Sequence, residues 1–247
     1  MKNKTVIVTG ASSGLGKAIA AHFLAKGSKV VMNSSNEALL KNAFESMGSP
    51  INAIYQAGDI SKQKTGQILV ASALEKFGSV DVLINNAGVF QPKPFLEVDE
   101  DDLNRFWEVN LKGTYYTTQA AVSEMIKKES GSVINIGTVL VDHAIDGFPA
   151  SAPITSKGAI HALSRQLAAE FGKCNIKFNT IAPGVIRSPL QDKIGVADAD
   201  SLAGLHLLNR IGEAEEIAEA AYYLASADFI TGETINVAGG HTVGHAI

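Results

Sequence analysis

Short runs rich in β-branched residues alternate with longer helical patterns along nearly the whole chain, and this alternation limits the fold more than any other feature. KTVIVTG (4–10), KVVMNS (29–34), NAIYQ (52–56), VDVLINN (80–86), GSVINIG (131–137), NIKFNTIAP (175–183) and ETINVAGG (233–240) read as strands. Helical patterns follow at 14–27 and at about 102–128, among others. Strands separated by helices call for parallel βαβ crossovers, and repeated crossovers build a doubly wound sheet. No linker, repeat or low-complexity segment interrupts the 247 residues, so one domain spanning 1–247 is expected. At 46% hydrophobic residues such a chain can bury one large core.

A net charge of −4 carries no electrostatic footprint for DNA or RNA. No stretch approaches a membrane span, and the N-terminal apolar run, Val6 to Val8, is too short for a signal-peptide core. The single cysteine, Cys174, has no partner for an internal disulfide, which suits a reducing compartment. A cytoplasmic protein acting on a small molecule, away from nucleic acid and membrane, is the expectation.

VTGASSGLGKAIA places Gly10, Gly14 and Gly16 between the first strand and the first helix. The first glycine permits a sharp turn. The others let backbone approach a diphosphate and let the helix pack on the strand. The helix N-terminus adds N–H groups and a positive dipole end. A strand before and a helix after are the context that such a loop needs to bind a dinucleotide.

TGASSGLG resembles the cofactor signature of the short-chain dehydrogenases/reductases, and further motifs resemble that family in order along the chain. NNAG (85–88) is similar to its fourth-strand motif, GDIS puts Asp59 and Ile60 at its adenine site, and VNLKG puts Asn110 at its structural and catalytic asparagine. APG puts Pro183 and Gly184 beside the nicotinamide, with Ile186 and Ser188 near its carboxamide. The resemblance implies a Rossmann-type domain with a seven-stranded parallel sheet flanked by helices. The cofactor residues it implies are Gly10, Ser12, Ser13, Gly14, Leu15, Gly16, Ser34, Ser35, Asp59, Ile60, Asn86, Ala87, Gly88, Lys157, Pro183, Gly184, Ile186 and Ser188. Taken singly, several have simpler readings. Asn86 and Ala87 end a strand, and Asp59 or Ser61 can cap a helix.

Cofactor choice turns on the end of the second strand, where a carboxylate would bond the adenosine ribose and repel a 2′-phosphate. Asn33, Ser34 and Ser35 offer none, and Glu37 falls on the next helix. No arginine is present to clamp a phosphate either. Neutral hydrogen bonds from Ser34, Ser35 and Asn36 favour NADP(H) over NAD(H). A Ser- and Asn-rich turn with no ligand is the alternative.

The resemblance also implies a tyrosine that gives the proton and a lysine four residues later that lowers its pKa and holds the nicotinamide ribose. Four residues on a helix place both on one face. Lys157 matches the lysine, Asn110 the asparagine, and Thr138 stands where a serine is usual. The tyrosine position is Pro153, which has no ionisable group and no N–H. No tyrosine occurs between Tyr116 and Tyr222, and a register slip of two finds only Ser151 or Thr155. His143, in the loop VLVDHAIDGFPAS, is the side chain there best suited to proton transfer, although a loop histidine is more often solvated. One of Tyr115 and Tyr116 is expected in the core.

The reading that follows is an NAD(P)(H)-dependent oxidoreductase with an atypical site, acting on a small carbonyl, imine or alcohol. The alternatives are a catalytically impaired nucleotide-binding subunit or sensor partnering an active relative, and non-redox chemistry on the same fold. A homodimer or homotetramer, or a hetero-oligomer with such a relative, is expected. Residues 186–211 and 139–152 are expected to line the substrate pocket, with Leu190, Ile194, Leu202 and Leu205 making it partly apolar. No metal site is expected.

Overall fold

A computed structural model describes residues 1–190, 195–196 and 198–246. Ile194 of the expected pocket lies outside these residues. Seven parallel strands form one sheet in the order β3-β2-β1-β4-β5-β6-β7. They are β1 (Thr5–Val8), β2 (Lys29–Ser34), β3 (Ala53–Ala57), β4 (Val82–Asn85), β5 (Gly131–Ile136), β6 (Ile176–Pro183) and β7 (Thr234–Val237). The helices are α1 (Gly14–Ala25), α2 (Glu37–Ser46), α3 (Gln63–Phe77), α4 (Glu100–Phe106), α5 (Gly113–Met125), α6 (Ser151–Phe171) and α7 (Ala214–Ser226).

Strand side chains alternate between the two faces of the sheet, and the core divides accordingly. Val6 and Val8 of β1 join Ile19 and Phe23 of α1, Leu40 of α2 and Ile217 and Leu224 of α7 on one side. Ile7, between them, joins Leu69 of α3, Met125 of α5 and Ala168 of α6 on the other. Burial on both faces explains why the strands read as continuous apolar runs. The first strands run outward from β1 to β3, and the chain then returns to lay β4 on the other flank of β1. This reversal opens a crevice at the carboxyl ends of β1 and β4, where a doubly wound sheet takes its ligand.

The long helix expected over 102–128 is not continuous. A π-helical segment, Trp107–Lys112, separates α4 from α5, and a 3-10 turn, Ile126–Lys128, closes the run. Hydrophobic periodicity cannot register one wider turn, which adds a single residue to the repeat. Asn110 lies within that segment and is fully buried. Neither tyrosine that follows is in the core: Tyr115 is exposed and Tyr116 only half-buried. Cys174 is half-buried in the turn that ends α6. Among the described residues no helix is long and apolar enough to cross a membrane.

Candidate active site

The glycine loop is held against the end of β4. Gly10 has φ +66°, and a Cβ there would lie 2.8 Å from Ala87 Cα and from Asn86 Nδ2. Asn86 Nδ2 donates to the carbonyls of Thr9 (3.0 Å) and Gly10 (3.2 Å), and Thr9 Oγ1 accepts from the backbone N–H groups of Asn86 and Ala87. A Cβ on Gly16 would fall 2.2 Å from Gly10 O, so α1 can approach the loop this closely only with glycine there. Ser13 is the N-cap of α1 and makes no side-chain capping bond, and the first turn carries no carboxylate. The N-terminal turn thus presents N–H groups with neither a side-chain cap nor a carboxylate of its own, which suits an anion. Leu15 packs on the core behind the loop, and Ser188 Cβ is 3.3 Å from where a Cβ on Gly14 would stand. The segment after β6 thus reaches across to the loop. Pro183 ends β6, and Gly184 and Ile186 follow it, Ile186 bridging to Gly212.

Across the crevice, Lys157 is almost wholly buried on α6, and its Nζ donates to Ile136 O at 2.7 Å. A Cβ on Gly88 would lie 3.2 Å from that Nζ and 3.0 Å from Asn110 Oδ1, so this glycine keeps the lysine and the asparagine beside the end of β4. Burial lowers the Lys157 pKa from 10.5 to about 8. The ammonium has two further N–H donors for a ligand.

Residues 10–242 match the family model described as Enoyl-(Acyl carrier protein) reductase. An oxidoreductase of Methylorubrum extorquens is 36% identical, with 97% of this chain and 98% of that one covered. The 3-oxoacyl-[acyl-carrier-protein] reductase of Thermotoga maritima is 31% identical, covering 97% and 98% respectively. The crystal structure of gox2181 superposes with a TM-score of 0.92 at 25% identity, covering 98% of this chain and 97% of that one. The chain belongs to the short-chain dehydrogenase/reductase family. Members of this family use NAD(P), and the relatives named here as enzymes are oxidoreductases.

The remaining expected positions of this short-chain dehydrogenase/reductase fall into two groups. Those around the ends of β2 and β3 are mostly polar. Ser12 Oγ donates to Ser34 Oγ at 3.0 Å, Asn36 caps α2, and Ser13 and Ser35 are exposed. Asp59 is exposed and its carboxylate accepts from Ser61 N, so it shapes a local turn, while Lys62 holds the N-cap position of α3 without a side-chain bond. Ile60 is buried under Gly113.

The second group surrounds Lys157. Asn110 Nδ2 donates to Val89 O (3.0 Å) and Ser156 Oγ (2.9 Å), and its Oδ1 accepts from Val89 N (2.8 Å). Thr138 Oγ1 accepts from Leu140 N, which leaves its O–H to donate. Pro153 is buried in the first turn of α6, where its missing N–H costs little, and its carbonyl accepts from Ser156 Oγ. The α6 N-cap is Ala150, which offers no side-chain bond. His143 is half-buried, and its ring packs on His241 and His245.

His161, one turn beyond Lys157, is a site residue that the motifs do not mark. Its Nε2 accepts from Thr138 N (3.4 Å), and a Cβ on Gly137 would lie 2.1 Å from that nitrogen. Burial, ahead of any charge, lowers its pKa, so the ring stays a neutral acceptor that holds the Thr138 backbone. The i, i+4 spacing from Lys157 is the signal that could have pointed to it. A buried polar ladder runs below the site from the first residue of NNAG through positions the motifs do not mark: Asn85 bonds Thr117, Thr118 and Asn135, and Asn135 bonds Ser164, which meets Thr180.

Replacing Asn110 by alanine leaves the half-buried Val89 N–H and C=O without that partner and removes the bond that Ser156 Oγ accepts. The expected loss of stability is about 2–3 kcal/mol, measured by urea denaturation, because orphaned buried groups pay their full desolvation.

Proposed function

We propose that this protein is an NAD(P)(H)-dependent oxidoreductase of a small carbonyl, imine or alcohol, with a site that lacks the tyrosine acid. The observation that carries the reading is the pairing of an uncapped, carboxylate-free α1 N-terminus with a buried Lys157 that has donors to spare across Gly88. The similarity to a 3-oxoacyl reductase supports a carbonyl among the substrates.

In this reading Gly10, Ser12, Ser13, Gly14, Leu15 and Gly16 cradle the diphosphate, and Asn86, Ala87 and Gly88 border the cofactor at the end of β4. Ile60 and Asp59 flank the adenine, and Pro183, Gly184, Ile186 and Ser188 flank the nicotinamide. The bound nicotinamide supplies or accepts the hydride. Lys157 holds the ribose and places a positive charge near developing negative charge on the substrate oxygen. Thr138 donates its O–H to that oxygen. Asn110 holds the Val89 backbone and, through Ser156, the first turn of α6. Pro153 stands where a proton donor would be, one turn ahead of Lys157. Two proton sources remain, His143 and solvent, and a His143→Ala variant separates them. NADP(H) is favoured over NAD(H) because Ser13 and Ser35 present exposed hydroxyls and no carboxylate occupies positions 33–35. Residues 186–211 and 139–152 flank the substrate.

Pro153 also supports a second reading, an impaired nucleotide-binding subunit that partners an active relative. Titration with NADPH and NADH, followed by a panel of carbonyls, imines and alcohols, tests both. NADPH is expected to bind more tightly than NADH, and the protein is expected to turn over alone on part of the panel. Nucleotide binding without turnover would favour the second reading, and no binding of either nucleotide would overturn both.

A further inference from the structure

Four of the histidines meet in one place. His143 comes from the loop after β5, His206 from the turn after the 3-10 segment Ala199–Leu205, and His241 and His245 from the tail beyond β7. Ring centroids are 5.1 Å apart for His206–His241, 5.4 Å for His143–His241, 5.3 Å for His143–His245 and 6.0 Å for His241–His245. His206 and His241 are each only 1% exposed. Both ring nitrogens of His241 have no hydrogen-bond partner, whereas the His206 ring faces the backbone carbonyls of Ala203 and Leu202. His206 Nε2 accepts from Val185 N (3.1 Å), which places its proton on Nδ1, toward the Ala203 and Leu202 carbonyls. Buried, unpaired imidazoles are uncommon and call for an explanation. Among the described residues no three side chains are disposed to hold a metal ion.

The cluster joins three separate segments. Leu208 N donates to Gly239 O and Ala246 N to Gly204 O, both at 3.1 Å, and His245 Nδ1 lies 3.1 Å from Leu205 O. The tail therefore lies along residues 204–208, while His143 ties the 139–149 loop to the same knot. His206 also abuts Gly184, since a Cβ there would fall 2.8 Å from its Nε2. The knot thus sits beside the carboxyl end of β6, at the edge assigned above to substrate.

The charged surroundings oppose protonation. The titratable groups acting on His241 are His206, His143 and His245, and those acting on His206 are Arg210 and His245. Arg210 is itself paired with Glu216. Asp142 raises the His161 pKa against the effect of burial. No carboxylate is among the groups that would compensate a proton on His241.

We propose that the four-histidine knot is a proton-operated latch: neutral rings hold the tail on the 199–208 turn and the 139–149 loop, and protonation releases the tail and opens that edge of the site. Assigning substrate to this edge rests on the proposed function; the latch itself does not. Burial, then the neighbouring imidazoles, lowers the His241 pKa from 6.5 to about 4. A base lowered on docking contributes fully above its free value and loses that contribution as pH falls toward the docked value. The closed state therefore weakens about tenfold for each pH unit between 6.5 and about 4, on the order of 300-fold in all from His241.

Hydrogen–deuterium exchange at pH 7.5 and pH 5.0, corrected for intrinsic rates, tests this in wild type and His241→Phe. Protection of residues 199–208 and 239–246 is expected to fall about tenfold or more in wild type at the lower pH, with β1, β4 and β5 unchanged. His241→Phe, which keeps a buried ring without a titrating nitrogen, is expected to hold its protection at both. Unchanged tail protection in wild type, or an equal fall in the variant, would overturn the latch. So would stoichiometric zinc in the purified protein that His241→Phe loses, since the knot would then be a metal site. Should the variant not fold, the wild-type His241 ring followed by NMR decides: a midpoint near 6.5 with the tail still protected overturns the proposal. Nucleotide titration at pH 7.5 is a separate readout, so a tail that releases with acid in a protein that binds no nucleotide would leave the latch standing and remove the proposed function.

Discussion

Replacing Lys157 by methionine is expected to abolish most turnover and yet make the protein more stable at neutral pH. The wild-type ammonium is buried, and its pKa falls from 10.5 to about 8 because of that burial. Below pH 8 the folded protein must hold the charge in a poor solvent, whereas the unfolded chain holds it in water. The lowering corresponds to about 3 kcal/mol of destabilisation, against which the bond to Ile136 O returns about 1 kcal/mol. Methionine fills the space without the charge, so a net gain of about 1–2 kcal/mol is expected at pH 7. The sign with pH follows. Between pH 8 and 10.5 the unfolded lysine binds a proton that the folded one has released, so wild-type stability rises over that window and the advantage of methionine fades. Turnover is expected to fall by about 10²–10³, the scale of losing one preorganised electrostatic donor. Wild-type nucleotide affinity is expected to weaken as pH rises through about 8, where Lys157 loses its charge. Urea denaturation at pH 7 and 10.5, run beside steady-state kinetics, checks both halves. A variant that is less stable, or one with undiminished turnover, would contradict this account. Stability gained where function is lost is the usual trade at a strained polar site.

Converting Pro153 to tyrosine is expected to raise turnover on ketones by about 10²–10⁴-fold, the usual contribution of a positioned acid. Position 153 lies in the first turn of α6, where a residue with a normal N–H fits as well as proline does. The two positions are four apart on one helix, so the phenol would stand on the Lys157 face. The lysine charge would then lower the phenol pKa, and the pH profile of the variant should show an acidic group absent from wild type. Kinetics on one ketone across pH, for wild type and variant, measure the gain. An unchanged rate and profile would mean that the wild-type proton source already suffices, and would point to His143 or solvent as an adequate donor.

Much of this was legible before any coordinates. The seven strands, their parallel order implied by intervening helices, and the glycine loop all follow from local pattern. Val6, Ile7 and Val8 are apolar in succession because each face of β1 meets a helical layer. Gly10 and Gly16 carry their reason in the close approach of Asn86, Ala87 and Gly10 O, contacts that the motif encodes without showing. Asp59 illustrates the opposite case. Its position in a motif suggests a ligand, and local geometry adds what the motif does not carry: one carboxylate oxygen accepts from Ser61 N while the residue stays exposed.

The layered α/β architecture is written in periodicity and glycine placement, local properties that backbone geometry obeys directly, while the positions of Lys157, Asn110 and Thr138 came from the resemblance to the family's motifs. The assembled fold alone reveals that a π-helical segment buries Asn110, that His161 holds the Thr138 backbone, and that His143, His206, His241 and His245 meet. These contacts join residues up to about a hundred positions apart, and the chain closes such distances only when the whole sheet is assembled.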